Sequence, residues 1–450
     1  MFLGGVCESD VFEVVRKFKS KKSTDDNSID MSLIKEVMDC VLKPFTYICN
    51  KSFQTGIFPD RMKMAKVVPI YKNGDKHILS NYRPVSLLPQ FSKILFVNRL
   101  DAFMEKYELL SDHQYGFRSN RSTSLAVMEL VENISTAIDK KQYAVGVFVD
   151  LRKAFDTINH SLLLQKLERY GIRGVTLNWI RSYLNNRFQY VKFNNAVSHF
   201  RKVTCGVPQG SVLGPKLFIL YLNDIGTVLN KLKFTIFADD TNLVSSGPDI
   251  KELLTTVEKE LIKLKEWFNI NKLSLNENKT KFMVFGGVRA NCETQLILNG
   301  VKIERVYDTK FLGVILDYKL SWKPHIEYIK QKLSKSIGII YNTRDFLNKK
   351  GLRILYFSLI MPYMTYCVEV WGNTYRTYID PIIKLQKRVI RIINKASYCE
   401  TTNKLFIESR TLKFLDIVYL RTLEILFRVK NKSLPTCIQQ FFKLREKIII

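Results

Sequence analysis

The sequence lacks the cysteine patterns that mark zinc-binding proteins. Its eight cysteines are scattered over 450 residues, and they form neither a C-x-x-C pair nor a Cys/His cluster with zinc-ligand spacing. Free thiols in a reducing compartment are the interpretation that follows. A secretory signal segment is also missing, because Glu8 and Asp10 interrupt the start of the chain. We therefore expect a protein of the nucleus or the cytoplasm.

Long apolar runs of the kind that cross a membrane are absent as well. The most apolar stretch, residues 354–371, contains Pro362, Glu369 and several tyrosines, so it predicts a buried helix and its continuation. No membrane partner is expected, and there are no low-complexity segments or internal repeats. Hydrophobic residues make up 46% of the chain and charged residues 25%, which predicts packed cores distributed over two to four subdomains.

Acidic residues are few relative to basic ones. The chain has 70 lysines and arginines against 42 aspartates and glutamates, which gives a net charge of +28. A positive field of this size attracts polyanions, of which nucleic acid is the commonest. A surface that is merely rich in lysine would give the same count, so charge indicates a partner without identifying a chemistry.

Apolar periodicity predicts a mixture of helices and strands. Helices are predicted at 11–18, 34–48, 124–141, 162–170, 175–184, 213–222 and 250–271. Strands are predicted at 65–71, 143–150, 189–193, 281–285 and 309–316, with two further β-type runs inside 234–244. From about residue 320 to 430 the pattern is mainly helical and basic.

Three aspartates stand out by their position. Asp150 ends an apolar run typical of a strand buried on both faces, and Asp239 and Asp240 lie at the tip of the hairpin predicted within 234–244. A carboxylate buried at a strand end is unfavourable unless a cation or a hydrogen-bond donor compensates it. Two strands that deliver carboxylates to one place form a site for Mg²⁺, which prefers oxygen ligands. Taken alone, an Asp-Asp pair is more often a solvated turn.

The motifs around these aspartates follow a recognisable order. Two motifs contain the three aspartates, namely 148–156 (FVDLRKAFD) and 237–240 (FADD). A third motif, 206–215 (GVPQGSVLGP), lies between them in the chain. Further segments are 81–88 (NYRPVSLL), 114–118 (QYGFR), 217–225 (LFILYLNDI), 275–285 (LNENKTKFMVF), 311–314 (FLGV), 366–373 (YCVEVWGN) and 385–395 (LQKRVIRIINK). In this order they resemble the motifs of reverse transcriptases from non-LTR (LINE-type, jockey-like) retrotransposons.

The resemblance implies an α+β fold of the right-hand polymerase type, with an antiparallel palm sheet and a helical thumb. Residues 1–60 would form an N-terminal helical extension, 61–125 the fingers, 126–320 the palm, and 321–450 the thumb and C-terminal region. The implied activity is that of an RNA-directed DNA polymerase, a nucleotidyltransferase that uses an RNA template, a DNA primer and deoxynucleoside triphosphates. The implied cofactor is Mg²⁺, as two ions, with Mn²⁺ as the alternative.

The resemblance also implies roles at the centre of the site. Asp150 and Asp239 would hold both metals, and Asp240 would complete the acidic cluster. A lysine could protonate the leaving pyrophosphate. Lys279 has the motif position for this role, Lys281 is its rival, and an ordinary surface lysine is the alternative for either.

Five residues are expected at the nucleotide. Phe155 would exclude a ribose 2′-hydroxyl, with simple core packing as the alternative. Gln209 and Gly210 lie in a turn before a helix, where a glycine lets the backbone approach a base pair; a purely conformational turn is the alternative. Arg83 and Lys72 flank a predicted finger hairpin and could bind triphosphate, since guanidinium groups clamp phosphate oxygens.

Two groups of residues are expected to contact nucleic acid. Gln114 and Arg118 would touch the template or brace the fingers. A stripe of basic residues with spacings of three and four would grip a duplex backbone along one helix, unless it is only a solvated helix face. Its members are Lys384, Lys387, Arg388, Arg391 and Lys395.

Some features depart from the family pattern. Its members usually carry an endonuclease domain before the polymerase, and none precedes the fingers here, so we expect a truncated copy or a fragment of a longer reading frame. Residues 93–100 (KILFVNRL) are about one helical turn shorter than that pattern, and the end at Ile448–Ile450 is abrupt. A decayed or co-opted nucleic-acid-binding protein therefore stays open as an alternative. An RNA-directed RNA polymerase is a third reading, which Phe155 disfavours.

Overall fold

The structure, a computed structural model, describes residues 1, 4–94, 99–194, 196–286 and 295–442. Residues 95–98, within the segment expected to be shortened, and Ile448–Ile450 lie outside the described residues. Helices and strands are both abundant in the described part, so the expected α+β class is confirmed.

Seventeen α-helices run through the described residues. They are α1 Glu8–Lys17, α2 Met31–Thr55, α3 Gln90–Ile94, α4 Arg99–Lys106, α5 Thr123–Asp139, α6 His160–Arg169, α7 Gly174–Leu184, α8 Leu213–Leu222, α9 Ile250–Ile270, α10 Lys323–Thr343, α11 Lys349–Leu359, α12 Met361–Thr365, α13 Val368–Trp371, α14 Arg376–Ile393, α15 Thr402–Glu408, α16 Phe414–Lys430 and α17 Thr436–Gln439. In this described part, none of them is both long and apolar enough to cross a membrane.

Thirteen strands are formed by the same described ranges. They are β1 Met64–Tyr71, β2 Tyr82–Leu87, β3 Tyr143–Val149, β4 Arg187–Phe193, β5 Ala196–Val197, β6 Arg201–Val203, β7 Lys233–Phe237, β8 Asp240–Gly247, β9 Lys281–Phe285, β10 Leu296–Leu298, β11 Val301–Arg305, β12 Asp308–Phe311 and β13 Val314–Asp317. Apart from the stretches 309–316 and 354–371, the predicted helices and strands are confirmed at these positions, although some of their ends differ by several residues.

Capping residues explain where several helices begin and end. At the start of α2 the Asp30 side chain accepts a hydrogen bond from the Leu33 amide, and Gly56, with a φ of 68°, ends the same helix. At the start of α5 the Ser122 hydroxyl accepts a hydrogen bond from the Leu125 amide. These contacts satisfy backbone groups that a helix end otherwise leaves without partners.

Two predicted elements are divided more finely than their apolar patterns indicate. The stretch 309–316 is a hairpin of β12 and β13, in which Phe311 lies opposite Val314. Leu312 and Gly313 make the turn, with φ values of 44° and 88°. The stretch 354–371 belongs to three successive helices, α11, α12 and α13.

A six-stranded sheet has the strand order β10-β11-β9-β3-β8-β7. β3 pairs antiparallel with β8 on one side and with β9 on the other, and β7 pairs antiparallel with β8. The expected antiparallel sheet is confirmed for these four strands. One parallel pair, β11 with β9, joins the β10–β11 hairpin to the sheet.

A second sheet has the order β2-β1-β4-β5, with β6 beside β4. β1 and β2 form an antiparallel hairpin in which Tyr71 lies opposite Tyr82. This is the hairpin that the sequence predicts between Lys72 and Arg83. β1 also pairs parallel with β4.

Contacts divide the chain into two compact units. Unit 1 comprises 1–117, 151–229 and 263–276, and it contains the five-stranded sheet. Unit 2 comprises 118–150, 230–262 and 277–450, and it contains the six-stranded sheet and the β12–β13 hairpin. This division does not test the four functional segments predicted from the sequence, which stay a prediction.

Each unit has its own hydrophobic core. In unit 1 the rings of Phe58, Trp179 and Tyr183 pack against one another, and the Trp179 indole donates a 2.8 Å hydrogen bond to Ser52 Oγ. In unit 2 one continuous cluster joins α5 and the sheet to the C-terminal helices, and it includes the fully buried Trp371. Burial of this much apolar surface is the main source of stability in both units.

Candidate active site

Two neighbouring strands of unit 2 bring the three predicted aspartates together. Asp150 directly follows β3, and Asp240 is the first residue of β8. Because Val149 lies opposite Thr241 in this antiparallel pair, the next step of the register sets Asp150 opposite Asp240. Residues in such positions have Cβ atoms about 5 Å apart. Asp239 lies in the tight turn between β7 and β8, so all three carboxylates share one edge of the sheet.

The negative charges of the three carboxylates at this edge repel one another. Burial raises the pKa of Asp240 to about 6, and the charges of Asp239 and Asp150 contribute to the rise. A bound cation would stabilise the charged form of such a carboxyl group. The donor set therefore fits divalent ions, because three carboxylates offer the oxygen ligands that Mg²⁺ prefers.

The two candidate lysines lie on the other side of β3, at the start of β9. Lys281 lies opposite Phe148 in the β3–β9 register, so two further steps set Lys279 beside Asp150. Lys281 forms an ion pair of 3.4 Å with Glu304, whereas the Lys279 side chain is exposed. This geometry favours Lys279 over Lys281 as the lysine available to a substrate.

Sequence reasoning missed two buried polar residues beside the aspartates. Thr280 is 1% exposed, and its Oγ1 accepts a hydrogen bond of 3.4 Å from the Asp150 amide. Asn242 is also 1% exposed, and both polar atoms of its side chain are buried without a hydrogen-bond partner among the described residues. Asn242 shares a face of β8 with Asp240, since side chains two residues apart point the same way. A polar residue inside an apolar strand was the available signal.

Phe155 lies in unit 1, in the short 3-10 helix Ala154–Asp156. Its ring stacks on Phe218, with centroids 4.2 Å apart and 18° between the ring planes, and Phe117 contacts it edge-on. The side chain is only half-buried. Aromatic pairs of this kind fix the orientation of a ring, so the partly exposed ring of Phe155 is held in one orientation.

The turn that contains Gln209 is tied to the residues after this ring. Gln209 Nε2 donates a hydrogen bond of 2.9 Å to Asp156 Oδ1, and the Val207 amide donates one of 2.9 Å to the Phe155 carbonyl. Burial raises the pKa of Asp156, and the hydrogen bond from Gln209 opposes that rise. Asp156 was not singled out from the sequence, although it ends the motif 148–156.

Gly210 shows the close backbone approach for which a glycine is needed. Its φ is 115°, and a Cβ added there would lie 2.6 Å from the Ser86 carbonyl oxygen of β2. The Ser86 amide also donates a hydrogen bond of 2.7 Å to the Gln209 carbonyl. The conformational role of this turn is therefore visible, and its closeness to a base pair stays a prediction.

Arg83 and Lys72 lie on the predicted β1–β2 hairpin of unit 1. Arg83 lies opposite Ile70 in the register, and the Lys72 amide donates a hydrogen bond of 2.9 Å to the Asn81 carbonyl. Both cationic side chains are exposed. The hairpin thus presents two positive charges to solvent on one small element.

Gln114 and Arg118 differ in their surroundings. Gln114, in unit 1, is 3% exposed, and its Oε1 accepts a hydrogen bond of 2.8 Å from the Gly116 amide. Of the two predicted roles, this burial supports bracing rather than template contact. Arg118, in unit 2, is half-buried.

The predicted basic stripe lies on α14 of unit 2. Lys384, Lys387 and Arg388 are exposed, while the half-buried Arg391 donates a hydrogen bond of 2.9 Å to the Glu400 carbonyl. Lys395 lies just beyond the end of the helix. The stripe therefore presents separate positive charges along one exposed face.

Comparison with known proteins identifies the family to which this chain is similar. Residues 70–316 match the family described as "Reverse transcriptase (RNA-dependent DNA polymerase)". A "Probable RNA-directed DNA polymerase from transposon BS" of Drosophila melanogaster is 28% identical over 410 residues, covering 86% of this chain and 44% of that protein. The "RNA-directed DNA polymerase from mobile element jockey" of the same species is 28% identical over 410 residues, covering 88% and 44%. The chain thus spans less than half the length of these relatives.

Among solved structures, telomerase from Candida albicans, determined in complex with a fragment of telomeric RNA, is similar with a TM-score of 0.44 and 13% identity. The similarity covers 83% of this chain and 71% of that chain. The family match spans more than half of the 450 residues, and the relatives come from mobile elements of the kind that the motif order indicates. The chain belongs to the reverse transcriptase family, and it is similar to members of that family from mobile elements.

Proposed function

We propose that the chain is an RNA-directed DNA polymerase that extends a DNA 3′-hydroxyl on an RNA template. The observation that carries this proposal is the register that sets Asp150 opposite Asp240, with Asp239 in the adjoining turn. The family supplies the reaction class, and the raised pKa of Asp240 supports cation binding at the cluster. The proposed substrates are deoxynucleoside triphosphates, together with an RNA template and a DNA primer.

Asp150, Asp239 and Asp240 would hold two Mg²⁺ ions, with Mn²⁺ as the alternative. When bound, the ions supply the Lewis acidity that activates the primer hydroxyl and stabilises the leaving pyrophosphate. The contribution of the chain is to present carboxylate oxygens on a strand end and a tight turn, which keeps the ligand positions fixed. Thr280 supports this arrangement by accepting a hydrogen bond from the Asp150 amide.

Four further predicted residues would act on the nucleotide. Phe155 would exclude a ribose 2′-hydroxyl, because Phe218 holds its ring in place. Lys279 would protonate the leaving pyrophosphate. Arg83 and Lys72 would bind the triphosphate, since both cations are exposed on one hairpin.

The remaining predicted residues would support the template and the duplex. The turn of Gln209 and Gly210 would set the backbone near the new base pair. Gln114 and Arg118 would contact the template or brace the fingers. The basic stripe on α14 would bind a duplex backbone without regard to sequence. In functional terms we keep 1–60 as an extension, 61–125 as fingers, 126–320 as palm and 321–450 as thumb. The nucleus or the cytoplasm, where RNA is available, is the proposed compartment.

Primer extension tests this proposal. The purified chain is supplied with poly(rA)/oligo(dT), dTTP and Mg²⁺, beside Asp239→Ala and the matched control Asp139→Ala, which changes an exposed aspartate at the end of α5. We expect extension by the wild type and the control, and a loss of about 100-fold or more in Asp239→Ala. Equal extension by Asp239→Ala would overturn the assigned site. Duplex binding without any extension by the wild type would favour the nucleic-acid-binding alternative.

A further inference from the structure

Helix α16 of unit 2, Phe414–Lys430, has apolar residues on two opposite faces. Its inner face packs into the core of unit 2. There the ring of Phe414 stacks on the fully buried Trp371, with ring centroids 5.7 Å apart and 27° between the ring planes. Ile417 and Val418 belong to the same core cluster. The inner face is therefore already covered by the chain itself.

The outer face of α16 carries a second row of apolar side chains, and these are exposed. With 3.6 residues per turn, the row lies within an arc of about 120° on the side of the helix opposite the core. We call this row the α16 stripe, and its members are Tyr419, Leu420, Leu423, Leu426 and Phe427. Tyr419 is 71% exposed and Phe427 is 68% exposed. Helices that are apolar all round are normally covered on all sides, so the α16 stripe indicates a partner.

The charges around the α16 stripe favour a protein partner over nucleic acid. Asp416 lies at one end of the outer face and Lys430 at the other, and both are exposed. Beside the stripe, the carboxylate of Glu424 is bound by Arg421 of the same helix at 2.6 Å. A duplex backbone is bound by several cations together. A surface that is apolar along its length, with one acid and one base at its ends, fits another protein surface instead.

The order of residues on the outer face is the same when read from either end. Counting outward from Leu423, apolar residues lie three and four positions away on both sides, and charges of opposite sign lie seven positions away. A second copy of α16, packed antiparallel about a two-fold axis at Leu423, therefore pairs apolar with apolar residues along the whole row. It also sets Asp416 of each copy against Lys430 of the other. A parallel arrangement would set like charges against each other at both ends, which is unfavourable.

We propose that the α16 stripe is the contact surface of a homodimer, in which two α16 helices pack antiparallel about a two-fold axis at Leu423. This dimer forms whether or not the chain is an active polymerase, because no residue of the acidic cluster takes part. The contact row extends over about 21 Å of helix, from Asp416 to Lys430. A single helix pair is smaller than a standard interface, so we expect a weak dimer with a dissociation constant of about 1–10 µM.

Sedimentation velocity of the full chain without nucleic acid, over about 0.1–50 µM, measures this dimer. Leu423→Lys places two ammonium groups on the two-fold axis and should raise the dissociation constant about 50-fold or more. Ile354→Lys is the matched control, because Ile354 is 59% exposed on α11, close to the 58% of Leu423, and lies off the stripe. It should dimerise like the wild type. Circular dichroism should show that both variants fold, since both replaced side chains are exposed.

Exchanging the two terminal charges tests the antiparallel arrangement. Asp416→Lys alone and Lys430→Asp alone should each raise the dissociation constant about 10-fold, because two attractive pairs become repulsive. The double variant Asp416→Lys/Lys430→Asp should return it to within about twofold of the wild type. The proposal is overturned by a wild type that is monomeric at about 50 µM, by equal effects of Leu423→Lys and Ile354→Lys, or by a double variant that dimerises as weakly as the single ones.

Discussion

Replacing Asp240 by asparagine removes one charge from a cluster of three carboxylates. Burial and the charges of Asp239 and Asp150 raise the pKa of Asp240 from its ordinary 3.8 to about 6. A difference of about two pKa units corresponds to roughly 3 kcal/mol as an upper bound. Because Asp240 is more than a third exposed, water screens these charges, and we expect about 1 kcal/mol of stabilisation in Asp240→Asn at neutral pH without divalent ions.

The sign of the effect follows from where the proton binds more tightly. A carboxyl group whose pKa is higher in the folded than in the unfolded chain favours folding below its unfolded pKa, and this contribution is lost as the pH rises through the folded pKa. For Asp240 the window runs from about pH 4 to above pH 6. Across this window, the free energy of unfolding of the wild-type protein should fall by about 1 kcal/mol more than that of Asp240→Asn.

Urea denaturation followed by circular dichroism, in EDTA and at several pH values between about 4 and 8, measures this difference. Asp139→Asn, an exposed aspartate on α5, is the matched control and should follow the wild type. Adding Mg²⁺ at pH 7 should stabilise the wild type more than Asp240→Asn, since the variant has lost a ligand. Parallel pH curves for the wild type and Asp240→Asn, or equal stabilisation by Mg²⁺, would refute the account of the cluster.

Three further changes test neighbouring parts of the site. Gly210→Ala would place a Cβ 2.6 Å from the Ser86 carbonyl oxygen at a φ of 115°. We therefore expect urea denaturation to show a free energy of unfolding that is lower by about 2–3 kcal/mol. A decrease under about 0.5 kcal/mol would contradict the close approach. Phe155→Val should lower the preference for deoxyribonucleotides over ribonucleotides about 10- to 100-fold in single-nucleotide incorporation, and an unchanged preference would exclude the gate. Lys279→Ala should lower kcat about 100-fold and flatten the alkaline side of its pH profile, whereas Lys281→Ala should do neither; the opposite result would exchange their roles.

Local patterns predict most of the elements around the site. The apolar run 143–150 predicts β3, and the β-type runs within 234–244 predict β7 and β8, because alternation and turn signals are properties of adjacent residues. The hairpin at 309–316 is harder to divide, since Leu312 is not a turn-forming residue. Its positive φ accompanies a hydrogen bond from Tyr366, far along the chain, which no local pattern contains.

The candidate site likewise contains some residues that the sequence predicts and others whose contacts only the tertiary structure shows. The three aspartates and Phe155 are recognisable by motif position, and the structure brings the aspartates to one edge of a sheet. The sequence is a weaker guide to Asp156 and Gln114, because the contacts of these two residues depend on distant partners and on burial. Asp156 meets Gln209 only after two distant segments pack together. Gln114 is buried, and its Oε1 accepts a hydrogen bond from the Gly116 amide.

Composition, periodicity and motif order thus establish the basic charge, the element types, the acidic residues and the family of this chain. Tertiary structure alone decides that Asp150 lies opposite Asp240, and that the Tyr366 hydroxyl meets the Leu312 carbonyl. Helix and strand preferences act over a few residues, whereas register and close approach depend on pairing between segments far apart in the chain. A slip of one residue in such a pairing would turn every side chain of β8 to the opposite face, and no local pattern measures that slip.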